Sequence, residues 1–128
     1  MESPAAPKSF RFSLRIIRLY KYLTYEKHEY ILSRQLLRSG TAIGANIAES
    51  EHAQSKADFI SKMTIALKEA DETRYWLKLL EASDYLTAKQ AESIISDCLE
   101  LIRMLSSIVK RSKETLINSP SNGRNLPV

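Results

Sequence analysis

Residues 33–51, SRQLLRSGTAIGANIAESE, decide the fold because they combine a helical apolar pattern with small residues at four-residue steps. A nucleotide-binding loop is not indicated, since GTAIG lacks the glycine spacing and the following lysine of a phosphate-binding loop. Each glycine inside a helix costs up to about 1 kcal/mol relative to alanine, so two of them imply a compensating benefit from packing. We therefore predict that Gly40, Gly44 and Ala48 form a ridge where another helix packs closely, with a kink or a ligand contact as the alternative.

The composition indicates one soluble, mostly helical domain. The chain has 128 residues, of which only three are glycine and four are proline, and breakers this rare favour long helices. Its single cysteine, Cys98, excludes an intrachain disulfide. No stretch approaches the roughly 18 apolar residues of a membrane span, and residues 1–10 do not resemble a signal peptide, so we expect a cytoplasmic protein without a membrane partner.

Apolar residues at i, i+3, i+4 and i+7 spacing predict four amphipathic helices with short connections. The fold class predicted is all-α, an antiparallel up-and-down four-helix bundle. Ser55 with Asp58 and Thr87 with Gln90 have the spacing of N-terminal helix caps. The expected boundaries are a flexible leader at residues 1–8, a bundle domain at 9–117 with helices at about 9–26, 29–52, 56–84 and 88–116, and a disordered tail at 118–128.

The third helix carries more apolar surface than one bundle needs. In RYWLKLL, residues 74–80, apolar side chains point around nearly the whole circumference, whereas a bundle helix normally keeps one face wet. We predict a ring-like homo-oligomer; the alternative is that the aromatic residues merely cover the end of the core. The candidate interface residues are Tyr75, Trp76, Leu79 and Leu80.

Arg74 falls on the inner side of the same helix. A buried guanidinium needs a partner, since an unpaired buried charge is very costly. We expect Glu49 or Glu81 to pair with it, and Glu49–Arg74 is the candidate structural pair. The alternative is that the arginine stem lies on the core and its head reaches solvent.

The basic residues are unevenly distributed. Eight Lys/Arg and two Glu fall in residues 8–38, six Lys/Arg and eleven Asp/Glu in 39–102, and five Lys/Arg and one Glu in 103–124. Such basic ends permit attraction to a polyanion, although a solvated outer face is the plainer interpretation for one monomer. Tyr22 and Tyr25 lie beside the first-helix arginines. The candidate nucleic-acid-binding residues are Arg11, Arg15, Arg18, Lys21, Lys110, Arg111 and Lys113.

The sequence offers no pattern typical of catalysis, so no enzymatic activity and no cofactor are expected. Glu49 and His52 match one Glu-x-x-His element of di-iron bundles, but such sites need two elements and two further glutamates. The chain has only two histidines, and His28 lacks a matching glutamate. Cys98 lies on the apolar stripe of the fourth helix, where a small hydrophobic role is expected.

Two segments carry a family resemblance. SGTAIGANIAE, followed by DFISKMTIALKEADETRYWLKLLEASDYL, resembles the four-helix-bundle family that includes the 23S rRNA intervening-sequence proteins, over about residues 10–115. That family often has glycine or alanine where this chain has Ser50, which leaves the end of the second helix open. Asn46 and Glu49 match the signature, and the resemblance implies structural roles for both.

The resemblance also implies a function class. Related proteins form closed rings of five, some are encoded within insertions in ribosomal RNA genes, and a similar basic protein binds nucleic acid and a reverse transcriptase. We therefore expect a homopentamer that binds RNA or DNA, or a nucleic-acid enzyme such as a reverse transcriptase. The alternative is a protein-interaction adaptor without nucleic-acid binding.

Overall fold

A computed structural model describes residues 3–118, and all of the regular structure in that range is helical. The prediction of an all-α chain with four helices is confirmed. The helices are α1 (Ala5–Tyr25), α2 (Leu32–Ser50), α3 (Lys56–Ala82) and α4 (Ala88–Asn118).

Side-chain caps start the last two helices where the sequence predicted them. The Ser55 hydroxyl accepts a hydrogen bond from the Asp58 backbone N–H at 3.0 Å, and the Asp58 carboxylate accepts one from the Gln54 N–H at 3.1 Å. Thr87 and Gln90 cap each other reciprocally, at 3.1 and 2.9 Å. These contacts satisfy backbone N–H groups that have no partner within the helix, so each helix begins at a defined residue.

The first helix begins earlier than the predicted leader allows. It starts at Ala5, whose N–H bonds to the Ser3 hydroxyl at 3.2 Å and whose side chain is fully buried. Pro7 is tolerated because N–H groups in a first turn have no helical acceptor. Only residues 3–4 of the predicted leader precede the helix within the described range, and residues 119–128 of the predicted tail lie outside it.

The end of the second helix, left open by Ser50, is also defined. The buried Ser50 hydroxyl donates to the Ile47 carbonyl at 2.6 Å, and the helix ends at this residue. The Glu51 N–H then bonds to the Ala48 carbonyl at 3.2 Å, which tightens the last turn. The helix therefore ends two residues before the predicted boundary at about residue 52.

The residue pairs in contact show that neighbouring helices run antiparallel. On α1 and α2, Ile16 lies against Gly40 and Ser9 lies near Gly44. Between α2 and α3, Arg38 meets Glu72 while Glu49 meets Lys62, and between α1 and α4, Lys8 meets Glu100 while Arg15 meets Asp97. As one partner's residue number rises, the other's falls, so each of these pairs is antiparallel.

The core lies between the four helices and is almost entirely apolar. Between α2 and α3 it contains a buried polar contact, where the Ser39 and Thr73 hydroxyls lie 2.9 Å apart. The Thr73 hydroxyl donates to the Glu69 carbonyl at 2.7 Å, which leaves its oxygen free to accept from Ser39. The largest fully buried apolar side chains are Ile16, Leu23, Leu36, Ile43, Ile47, Met63, Leu77, Leu80, Leu101 and Leu105.

The small-residue ridge brings α1 and α2 together at two of its three members. A β-carbon added at Gly40 would lie 2.8 and 2.9 Å from the two γ-carbons of Ile16. At Gly44 the same atom would lie 3.3 Å from the Ser9 Oγ and 3.4 Å from the Ser13 Oγ. Ala48 is exposed, so close packing does not extend to it.

We predict that Gly40→Ala destabilises the protein by about 1–3 kcal/mol, since the added methyl must displace a β-branched side chain with few alternative rotamers. Gly44→Ala is the matched control. There the closest atom, the Ser9 Oγ at 3.3 Å, has to shift by only a few tenths of an ångström, and the gain in helix propensity of up to about 1 kcal/mol opposes this smaller strain. Urea denaturation of both variants measures the difference; equal stability would show that the Gly40 contact does not restrict side-chain size.

Candidate nucleic-acid interface and association surface

An exposed row of side chains runs along the outer face of α1. We define the α1 stripe as Arg11, Leu14, Arg18, Lys21 and Tyr25, which follow each other at three- and four-residue steps and are all exposed. Such steps place side chains about 5–6 Å apart on one helix face. Within residues 3–118, its three cations form no ion pair. The stripe therefore presents uncompensated positive charge to solvent.

Arg15 differs from the arginines on either side. Its guanidinium lies between α1 and α4, where it bonds to the Asp97 carboxylate at 2.7 Å, the Ser93 hydroxyl at 2.6 Å and the Ser93 carbonyl at 3.3 Å. Lys8 makes a second ion pair across the same helices, 2.7 Å from Glu100. Arg15 thus belongs to the α1–α4 contact, and the continuous arginine row expected from spacing is interrupted.

The candidate cations of α4 lie away from the α1 stripe. Lys110, Arg111 and Lys113 are exposed, and the Arg111 Nε donates to the Ser107 carbonyl of its own helix at 3.3 Å. Arg111 borders a recess with Ser3 and Lys56, at the end of the bundle where α1 and α3 begin. Lys21 and the end of α1 lie at the other end. The seven candidate residues therefore do not form one patch.

Aromatic side chains surround the turn between α1 and α2. We define the α1–α2 corner as residues 25–31, in which Tyr25 and Ile31 are each 72% exposed and Tyr30 is 52% exposed. His28 has a backbone φ of +53°, in the left-handed region that non-glycine residues seldom adopt. Its ring Nδ1 lies 3.1 Å from the Tyr30 hydroxyl.

Glu29 fixes the geometry of this corner. Its carboxylate accepts hydrogen bonds from the N–H groups of Ile31, Leu32 and Ser33 at 3.1, 2.9 and 2.7 Å. Burial opposes ionisation, but these hydrogen bonds to the charged form outweigh it and lower the pKa of Glu29 below its ordinary value. The glutamate caps α2 from outside the helix, which explains why α2 begins at Leu32 and not near residue 29.

The candidate association residues on α3 divide between surface and core. Tyr75 is 58% exposed and packs edge-on against the half-buried Trp76, with ring centroids 5.2 Å apart. Leu79 is partly exposed. Leu80 is fully buried and lies one turn beyond Leu77 on the inward face, so it belongs to the bundle core and cannot contact another subunit.

An ion-pair network that the sequence did not predict holds Trp76 in place. The Trp76 indole N–H donates to the Glu72 carboxylate at 2.9 Å, and the Arg38 guanidinium bonds to the same oxygen at 2.7 Å. Arg38 also lies 3.5 Å from Glu69. The indole bond, followed by the arginine, lowers the pKa of Glu72. This network ties α2 to α3 beside Tyr75 and orients the indole.

The expected Glu49–Arg74 pair does not form. Glu49 stands near the end of α2 and pairs with Lys62 near the start of α3, at 3.1 Å, because a short loop joins those two helix ends. Arg74 lies twelve residues further along α3 and makes no ion pair within residues 3–118; it is partly exposed. Asn46 donates from its side-chain amide to the Ala42 carbonyl at 2.9 Å, a bond within its own helix.

Catalytic and metal chemistry find little support among the described residues. Burial raises the pKa of Cys98 to about 12, so its thiol stays protonated, and it donates to the Ala70 carbonyl at 3.3 Å. No group of three or more His, Cys, Asp or Glu side chains suited to a metal occurs in residues 3–118. In the same range, no helix is long and apolar enough to cross a membrane.

The described residues thus form an all-α four-helix protein with a cationic stripe on α1 and exposed aromatic residues on α3. The chain belongs to the 23S rRNA-intervening sequence protein family, whose model matches residues 2–107. The expected family resemblance is thereby confirmed.

A solved structure is also similar to this chain. It is a protein of unknown function from the S23 ribosomal protein family of Bacteroides thetaiotaomicron, 55% identical in sequence. The match covers 82% of this chain and 97% of that one, with a TM-score of 0.81. No protein of curated function matches.

We predict that Glu29→Gln lowers the free energy of unfolding at pH 7 by about 1–2 kcal/mol, since a neutral amide caps the helix less well than a carboxylate. In the native protein this stabilisation is fully present above the ordinary glutamate pKa of 4.5 and is lost as pH falls through the lowered folded-state value. The variant should therefore lose less stability on acidification.

Urea denaturation of the native protein and of Glu29→Gln, at neutral pH and near pH 4, measures how much unfolding free energy each loses on acidification. Glu26→Gln is the matched control, because Glu26 is exposed at the same corner and its carboxylate makes no hydrogen bond or ion pair within residues 3–118. Identical acid sensitivity in native protein and Glu29→Gln would contradict the assigned cap.

Proposed function

We propose that this protein is a non-enzymatic homo-oligomer that binds nucleic acid, or an enzyme acting on nucleic acid, through the α1 stripe. The observation that carries the proposal is the division of the cations. Lys8, Arg15, Arg38 and Lys62 are paired with carboxylates, whereas Arg11, Arg18 and Lys21 share one helix face without such partners in the described chain. A face of this kind is complementary to phosphates.

The binding energy would come mainly from counterion release. Each phosphate neutralised on a duplex contributes about −0.9 to the slope of log affinity against log salt concentration. Three cations make a weak site in one subunit. A ring of five, the assembly that the family resemblance implies, would repeat the stripe around a symmetry axis and steepen both affinity and salt dependence. The name of the family, which refers to 23S rRNA, adds support for RNA as the partner.

The α3 surface supports the oligomeric part of the proposal. Tyr75 is the most exposed large apolar side chain of α3, and Ile65 on the same helix is 40% exposed. Leu79 and Trp76 lie partly exposed beside Tyr75. The Arg38–Glu72–Trp76 network holds the indole in one orientation, so the surface needs little reordering when a second copy binds.

The second candidate function is a protein-interaction adaptor. The same exposed α3 residues favour it, because they would suit a different protein as well as another copy of this chain. A formal net charge of +4 is also modest for a protein dedicated to polyanions. The two functions differ in what reversal of charge on α1 should do.

We predict that the double variant Arg11→Glu, Arg18→Glu abolishes binding of generic RNA and DNA while the oligomer and the fold persist. Both side chains are exposed and make no ion pair within the described chain, so their replacement disturbs no internal contact. Fluorescence anisotropy from about 50 to 200 mM salt should show a steep linear fall of log affinity for the native protein.

Lys68→Glu with Lys78→Glu is the matched control, since it reverses the same charge on exposed positions of α3. It should retain most of the affinity, with the oligomer mass checked by light scattering. An adaptor would show no binding at the lowest salt in any variant. Equal losses in both double variants would show that net charge, and not the α1 stripe, governs binding.

We predict that Tyr75→Ala lowers the assembled mass, because Tyr75 contributes mostly exposed apolar area that only a partner can cover. Sedimentation across a dilution series measures the mass. Tyr30→Ala, which removes a similarly exposed tyrosine outside α3, should leave it unchanged. An assembled mass unaffected by Tyr75→Ala would remove α3 as the association surface.

A further inference from the structure

We propose that the α1–α2 corner is a stacking platform for unpaired nucleotides, with Tyr25 and Tyr30 as its aromatic faces. This inference rests on the proposed function, since it specifies which form of nucleic acid the basic surface prefers. Proteins that bind single strands combine a cationic track for the backbone with aromatic rings on which bases stack. Both parts occur together at this end of the bundle.

The two tyrosines are poorly explained as parts of the fold. Tyr25 is the last residue of α1 and 72% exposed, and Tyr30 is 52% exposed just before α2. Within residues 3–118, the Tyr30 hydroxyl contacts the exposed His28 ring, and the Tyr25 hydroxyl makes no hydrogen bond. Together with Ile31, which is 72% exposed, the two tyrosines form a cluster of exposed apolar side chains of the kind that marks an interaction site.

The charges around the corner favour a polyanion as that ligand. Four exposed cations surround it, Arg18 and Lys21 from the α1 stripe, Lys27 from the turn and Arg34 from α2, and none forms an ion pair within the described chain. The corner itself, residues 25–31, contains two carboxylates. That of Glu29 is buried against the first N–H groups of α2, so Glu26 is the one exposed acid at the corner.

The α1–α2 corner is also preorganised for binding. The Glu29 N–H bonds to the Leu23 carbonyl at 2.9 Å and the Lys27 N–H to the Tyr22 carbonyl at 3.3 Å, while the Glu29 carboxylate holds the start of α2. These bonds fix the backbone on both sides of Tyr25 and Tyr30. A ligand therefore does not have to order the loop, which lowers the entropic cost of binding.

Stacking distinguishes single strands from duplexes. In a duplex the base faces are already stacked on each other, whereas loops and single strands can present them to aromatic side chains. The α1 stripe leads directly to Tyr25, so a strand following Arg11, Arg18 and Lys21 would bring its bases to the corner. The geometry thus points to unpaired segments of RNA or DNA, and not to helical grooves.

The test uses the full-length protein with a fluorescent single-stranded RNA and the duplex formed from the same sequence, at one salt concentration. We expect the double variant Tyr25→Ala, Tyr30→Ala to lose at least about tenfold in single-strand affinity, the scale of one to two stacked bases. Duplex affinity should change by less than about twofold. Tyr25→Phe with Tyr30→Phe keeps the rings and should bind like the native protein.

The outcomes separate this inference from the proposed function. Single-strand binding that is lost in the Arg11, Arg18 charge-reversal variant but unchanged in the tyrosine double variant would overturn the platform and leave the basic interface standing. Absence of binding to both probes by native protein would overturn both. A tyrosine double variant with reduced assembled mass would reassign the corner to subunit or protein contacts, and an equal loss on duplex would also reject stacking.

Discussion

The close approach of α1 and α2 at Gly40 is the constraint on which the rest of the structure depends. Because Gly40 has no side chain, the γ-carbons of Ile16 fill the space where a β-carbon would stand. This contact sets the spacing of the first two helices, and the turn between them must then close within a few residues. Glu29 makes that short turn possible by capping α2 with its carboxylate. The position of the exposed corner thus follows from a packing requirement inside the bundle.

Charge distribution follows from the same packing. Where two helices run side by side, cations on one meet carboxylates on the other, as in Arg15 with Asp97 and Arg38 with Glu72. Exposed pairs of this kind add little stability individually, but they decide which cations remain available to a ligand. The outward face of α1 meets no neighbouring helix within residues 3–118, so Arg11, Arg18 and Lys21 stay uncompensated. The proposed binding surface therefore consists of the cations that are not used in ion pairs between helices.

Local sequence rules recovered the features that depend on local contacts. The caps at Ser55 and Thr87 and the close approach at Gly40 follow from spacing within one helix or one loop. Which residue of a second helix lies opposite a given side chain was not predictable from these rules. Helical spacing puts Arg15 in line with its neighbours, and only the position of Asp97 on α4 shows that it is paired.

The Glu29 cap and the inward position of Leu80 escaped prediction for related reasons. Residue 29 lies outside α2. Its capping role depends on a turn in which His28 has a left-handed backbone conformation, and no local sequence motif predicts that conformation. Within RYWLKLL, the apolar residues cover all sides of the helix, so the pattern contains no information about which of them faces the core. Packing against α2 and α4 decides that Leu80 is buried and Tyr75 is not.

The arrangement of the four helices also determines whether assembly and ligand binding can coexist. Both α1 and α3 pack against α2 and α4, which places them diagonally opposite each other. An interface centred on Tyr75 would therefore cover the side of the bundle away from the α1 stripe. Subunits joined through α3 would keep Arg11, Arg18 and the corner tyrosines free, and each added copy would increase the local density of positive charge and of exposed rings. Association would then strengthen binding by multivalency, without any change of conformation within the subunit.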